Sequence, residues 1–141
     1  RLEGYKSALL ENNLTIDSDL IISGEYSFES GVEGAKTLMS EQNKPTAIFS
    51  CNDEIAAGAL FAARLMNIEI PQQLSITGFE NSPFSRQTWP KLTTANQPNP
   101  KIAEDAANLL IAQIRKSDDR EICKQYTPEL IVRDSTNLLT P

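Results

Sequence analysis

Residues 45–53 read Pro-Thr-Ala-Ile-Phe-Ser-Cys-Asn-Asp, and residues 70–81 read Ile-Pro-Gln-Gln-Leu-Ser-Ile-Thr-Gly-Phe-Glu-Asn. In each, a short apolar run follows a proline and gives way to small and polar residues, the pattern of a buried strand. Between them, residues 53–67 set Ile55, Ala59, Leu60, Ala63 and Met66 on one helical face. Strand, helix and strand with short connections predict a parallel sheet covered by helices, an α/β fold.

The same rhythm extends outward. Leu2, Tyr5, Leu9 and Leu10 predict a helix over residues 1–12, and Val32, Ala35, Leu38 and Met39 a second over 28–42, stopped by Pro45. Residues 19–23 (DLIIS), closed by Gly24, read as a further buried strand. After Gly78 the alternation breaks. Residues 81–90 are polar and irregular, residues 92–96 extended, and Pro98 and Pro100 lead into a helix over 101–116 striped by Ile102, Ala106, Leu109, Leu110 and Ile114. A charged turn at 117–121 precedes a tail that reads as two short strands around Pro128.

Composition narrows the function. The chain has 141 residues, 40% hydrophobic and 23% charged, which suits one globular domain rather than a disordered segment. No apolar stretch reaches the ~18 residues of a membrane span. A net charge of −6 argues against gripping nucleic acid directly, because phosphate binding needs clustered cations. The chain contains no histidine, which excludes His-based triads and His-ligated zinc sites in their usual forms. Phosphate-loop, dinucleotide and nucleophile-elbow motifs are missing, so no enzyme activity, metal or cofactor is expected. Cys51 and Cys123 read as buried, reduced core residues, with a disulfide as the alternative.

Open parallel sheets bind ligands beyond the carboxyl ends of their strands. Those ends carry Gly24-Glu25-Tyr26, Ser50-Cys51-Asn52-Asp53 and Gly78-Phe79-Glu80-Asn81. A ring, an amide and carboxylates on one sheet edge suit a polar ligand held by stacking and paired hydrogen bonds. Each residue also has a plainer role open to it: Asp53 as helix cap, Asn52 as turn former, Tyr26 as edge cover, Glu80 as solvated charge. Arg1, at a helix start, would face the same edge if a strand preceded it.

Several stretches resemble the carboxyl-terminal part of the effector-binding region of the lactose-repressor/galactose-repressor (LacI/GalR) family of bacterial transcription regulators. They are Arg1-x-x-Gly4-Tyr5, Gly24-Glu25-Tyr26-Ser27, Pro45-Thr46-Ala47-Ile48-Phe49 with Asn52-Asp53, and Ile70-Pro71-x-x-Leu74-Ser75-Ile76-x-Gly78-Phe79. Pro90-x-Leu92-Thr93-Thr94 with Gln97-Pro98, and Glu129-Leu130-x-x-Arg133-x-Ser135-Thr136, complete the order.

The resemblance implies one lobe of a two-lobed periplasmic-binding-protein-like fold, truncated at its amino end. It divides the chain into second-lobe β/α units over 1–91, a crossover strand and helix of the missing first lobe over 92–120, and return strands and tail over 121–141. By resemblance the ligand contacts are Arg1, Tyr26, Asn52, Glu80 and Gln97, with Glu80 standing where the family usually has Asp. The extra methylene moves the carboxylate roughly 1.5 Å outward, which implies a smaller pocket, a shifted ligand or a lost contact. The expected ligand is a sugar or sugar derivative, with a nucleoside or purine as rival.

A cytoplasmic homodimer is expected, with Ala56, Ala59 and Ala63 of the small-residue helix as interface candidates. Operator DNA would be read only by a separate amino-terminal domain, with no membrane partner. A solute-binding component of a sugar transporter is the alternative.

Overall fold

The computed structural model describes residues 1–115 and 123–138. Four strands, β1 (Ala47–Phe49), β2 (Ser75–Phe79), β3 (Thr93–Asn96) and β4 (Glu129–Ile131), form one sheet in that order. β1 and β2 pair in parallel, as do β2 and β3, with Ile48 opposite Ile76 and Thr77 opposite Thr93. β4 returns antiparallel along β3, Ala95 opposite Leu130. Among the described residues five α-helices accompany it: α1 (Leu2–Glu11), α2 (Phe28–Ser40), α3 (Asp53–Leu65), the short α4 (Phe84–Gln87) and α5 (Asn99–Ile114).

The core lies where α3 crosses β2. Ala56, Ala59, Leu60, Ala62 and Ala63 pack with Leu74, Ile76 and Leu92, and Ala35 and Met39 close the cluster from α2. Small residues set the α2–α3 distance. A Cβ on Gly58 would collide with the Phe28 carbonyl, and one on Gly31 with the Ile55 carbonyl. The small-residue stripe of α3 therefore serves α2 of the same chain.

Ala56, Ala59 and Ala63 are 0%, 2% and 0% exposed, which corrects their assignment to a dimer interface: no partner can reach them. The outward face of α3 instead carries Phe61 and Leu65, four residues apart and both exposed.

Four further expectations are revised. Residues 19–23 are not a strand: a 3₁₀ turn, Ser18–Leu20, leads into Ile21, whose backbone is extended (φ −112°, ψ 102°) but outside the sheet. A strand exists by pairing, and a groove of about 380 Å³ separates this run from β1. Residues 81–90 contain α4, which is too short to show a period. Residues 92–96 belong to this sheet through β2 and β4, so the boundary at 92 does not detach that strand from this lobe. The thiols of Cys51 and Cys123 are free, and neither is buried. The turn expected at 117–121 lies outside the described residues.

α5 stands apart. Its only buried residue is Asp105, while Leu110, Ile111 and Ile114 are exposed. The Tyr126 hydroxyl donates to Asp105 at 2.6 Å and Lys101 pairs with it at 3.0 Å. These bonds lower the Asp105 carboxyl to about 2 and raise Tyr126 and Lys101 in turn.

Candidate functional site

The carboxyl ends of β1, β2 and β3 converge on Arg1. One guanidinium nitrogen, Nη1, donates to the Cys51 carbonyl at 2.6 Å, just past β1. The other, Nη2, reaches Glu80 Oε1 at 3.1 Å after β2 and Gln97 Oε1 at 3.4 Å after β3. The guanidinium lies 4.2 Å from the centroid of the Phe79 ring, a cation–π contact. Arg1 and Glu80 keep a quarter to a third of their side chains in solvent, so the cluster is open to a ligand. The planar fork of Arg suits hydroxyl or carbonyl recognition better than a point charge would.

The cap of α3 is Asn52 and not Asp53. Asn52 has extended backbone (φ −150°, ψ 173°) and its Oδ1 accepts from the Ile55 amide at 2.7 Å, so Asn52 is the cap of α3. Asp53, expected to cap the helix, is its first residue and is fully buried. Its two oxygens accept from the Thr94 hydroxyl and the Ser82 amide, each at 2.6 Å. The positive end of α3 adds to its stability there. Gly78 is required beside it, since a Cβ would run into the Asp53 carboxylate and Leu92.

The turn after β2 has positive φ at two non-glycine residues, Glu80 (109°) and Asn81 (56°). L-residues avoid this region, so neighbours must hold it. Asn81 donates from its amide to Thr94 Oγ1 and from Nδ2 to Asn96 Oδ1. Its Oδ1 accepts from Arg133 Nη2 at 2.6 Å and from the Ser85 hydroxyl at 3.3 Å. Ser135 and Thr136 fasten the same tail: Ser135 Oγ bridges the Thr93 amide and the Ile76 carbonyl, and Thr136 meets Thr93 Oγ1.

Arg1, Glu80 and Gln97 are thus brought together, with Asn52 one residue from the carbonyl that holds Arg1. Tyr26 is not in contact with them. It is 67% exposed on the loop before α2 and lines the groove beside β1, which meets the Arg1 cluster through Cys51. That groove is walled largely by apolar side chains, including Tyr5, Ile21, Ile22, Ile48 and Phe49.

Sequence reasoning passed over Phe79, Asn81 and Arg133 as site residues. The strand-end position of Asn81 and the Arg133-x-Ser135-Thr136 signature were visible, but their meeting is a tertiary fact.

A family model for the periplasmic binding protein-like domain matches residues 1–136. The chain is 40% identical over 135 residues to the HTH-type transcriptional regulator MalR of Clostridium butyricum, covering 96% of this chain and 40% of that protein. A LacI-type transcription regulator from Bifidobacterium animalis subsp. lactis superposes with a TM-score of 0.91 at 30% identity, over 98% of this chain and 50% of the other. The transcriptional regulator CelR–cellobiose complex gives a TM-score of 0.91 at 26% identity, over 95% and 41%. The chain spans about two-fifths of the length of the curated relatives it matches. With that model matched over nearly its whole length, the chain belongs to the periplasmic binding protein-like domain family, and the relatives named here are transcription regulators.

Proposed function

We propose that this chain is the larger part of one lobe of an effector-sensing domain in a LacI-type transcription regulator, and that Arg1, Asn52, Glu80 and Gln97 contact the effector. The observation that carries the reading is the convergence of three strand ends on one solvent-facing guanidinium. An arginine paired with a carboxylate and an amide suits the holding of a polar ligand, and the reading is a binding one.

The effector class is a neutral polyhydroxylated molecule, a sugar or sugar derivative. Glu80 already neutralises Arg1, so the cluster offers donors and acceptors with no net charge to satisfy. The sugar bound by the CelR neighbour supports this class. Tyr26, on a loop across the groove, supplies a ring that closes over the ligand.

The groove beside β1 is open and lined largely by apolar side chains, and among the described residues Leu110, Ile111 and Ile114 of α5 stand exposed. Both fit a chain whose lobe is completed by further sequence, α5 packing on a second lobe. Effector binding would then shift an open–closed equilibrium of the two lobes.

The regulator is a cytoplasmic homodimer in this reading. Its subunits meet over the outer face of α3, where Phe61 stands exposed with the Phe28 ring packed at 5.6 Å. A two-fold dimer suits a palindromic operator, read by a separate domain. The transporter alternative is not favoured, because the relatives named above are regulators.

The test is thermal unfolding of a chain extended to both lobes, against sugars, sugar phosphates, nucleosides and purines. A true effector at about a hundred times its Kd adds roughly 2.7 kcal/mol. Stabilisation by a neutral sugar supports the reading. Stabilisation by a purine alone overturns the ligand class, and none from a folded protein overturns the site.

A further inference from the structure

We propose that Arg133, which comes from the chain's return segment and stands outside the ligand cluster, is a positioning residue that sets effector affinity by holding the turn that aims Glu80 at Arg1. The inference rests on the effector site proposed above and adds a residue and a coupling to it.

Glu80 reaches Arg1 from a turn in which residues 80 and 81 have positive φ, a state that is costly for Glu80 and better tolerated by Asn81. The restraints on that turn come from two directions. From the sheet side, Asp53 accepts the Ser82 amide and Thr94 Oγ1 accepts the Asn81 amide. From the return segment, Arg133 grips the turn through the Asn81 side chain at 2.6 Å.

Arg133 is itself anchored. Its Nη1 donates to the Leu92 carbonyl at 2.7 Å, and its amide donates to Thr93 Oγ1 at 2.9 Å. The guanidinium therefore clamps the turn to the start of β3 with two short bonds at fixed spacing. No other cation is bonded to Asn81 among the described residues, so its Oδ1 would keep only the longer bond from Ser85. Charge-assisted bonds of this length are the stronger kind. Without Arg133, Asn81 keeps its side-chain bond to Asn96 and Glu80 its amide bond to the Ala95 carbonyl, but the turn loses its tie to the return segment and the Glu80 carboxylate is aimed less tightly.

The experiment uses the full-length protein and two readouts. The first needs no ligand: amide hydrogen exchange at Asn81 and Ser82, compared with Ala35 and Leu38 in α2. Arg133→Ala is expected to lower protection at 81 and 82 by about tenfold or more, leaving α2 unchanged. Arg133→Lys, which keeps the charge without the fork, should fall between.

The second readout is affinity for cellobiose. Arg133→Ala should weaken it about tenfold, and the loss should disappear when Glu80→Gln is also present, because the turn then has no carboxylate to aim. Failure of wild type to bind cellobiose counts against that ligand and leaves the exchange result to decide on Arg133. Unchanged protection at 81 and 82, an equal fall across α2, or an affinity loss that persists in the Glu80→Gln background overturns the proposal. If Arg133→Ala does not fold, Arg133→Met, which keeps the aliphatic stem and removes the guanidinium, is read in the same way.

Discussion

α3 and α5 are both amphipathic helices, of 13 and 16 residues, yet the molecule uses them oppositely. α3 buries eight residues, from Asp53 to Ala63, against α2 and β2, whereas α5 buries Asp105 alone and holds it by ion pairs and a tyrosine hydroxyl. An apolar stripe thus states that a helix will be covered, without naming what covers it. The residue sizes carry the rest of the information. Gly58 and the alanines of α3 fit a close backbone neighbour, and the larger Leu110, Ile111 and Ile114 of α5 fit a looser surface.

The largest test of this contrast is Gly58→Val. Its side chain would press on the Phe28 carbonyl and the Val32 amide, both backbone, and the loss should be about 3 kcal/mol in chemical denaturation. The counterpart on α5, Ile114→Gln, should change stability by less than about 0.5 kcal/mol in this chain. Comparable losses for the two would erase the distinction between the helices.

Asn52→Ala separates cap from ligand contact. It should cost about 1 kcal/mol through the lost bond to Ile55. Asn52→Asp keeps the cap acceptor, so its stability should stay near wild type, and a drop equal to that of Ala would reject the cap assignment.

The smallest effect is the pH dependence of α5's attachment. The Asp105 carboxyl sits at about 2, below its ordinary 3.8. A depressed acid contributes stability that is present above its unfolded value and lost as pH falls through the folded one. Wild type should therefore exceed Asp105→Asn in helix attachment near neutral pH, and the difference should vanish between about pH 4 and pH 2. A difference that survives at the acid end would mean that the carboxylate charge is not what holds the helix.

Much of the fold was legible because the apolar runs behind Pro45 and Pro71 and the stripe of α3 match the periods of strand and helix. Residues 19–23 carried the same strand composition but sit across a groove from β1, and pairing is not encoded in a single run. α4 was too short for any period to show. Asn52 and Asp53 are adjacent and both good capping residues, so only the backbone angle at 52 decides which one caps. Arg1, Glu80 and Gln97 are legible in the sequence because they flank predicted elements and match the family's order. Phe79 and Arg133 are not, because their parts depend on what lies across the fold from them.

The most direct measurement is calorimetric titration of a sugar that stabilises the chain, extended to the proposed second lobe, into that protein and its Arg1→Ala variant. Arg1 binds Cys51, Glu80 and Gln97 at once, so its loss should weaken binding at least a hundredfold while circular dichroism and the melting midpoint stay close to wild type. Binding that survives in Arg1→Ala with unchanged affinity would contradict the site.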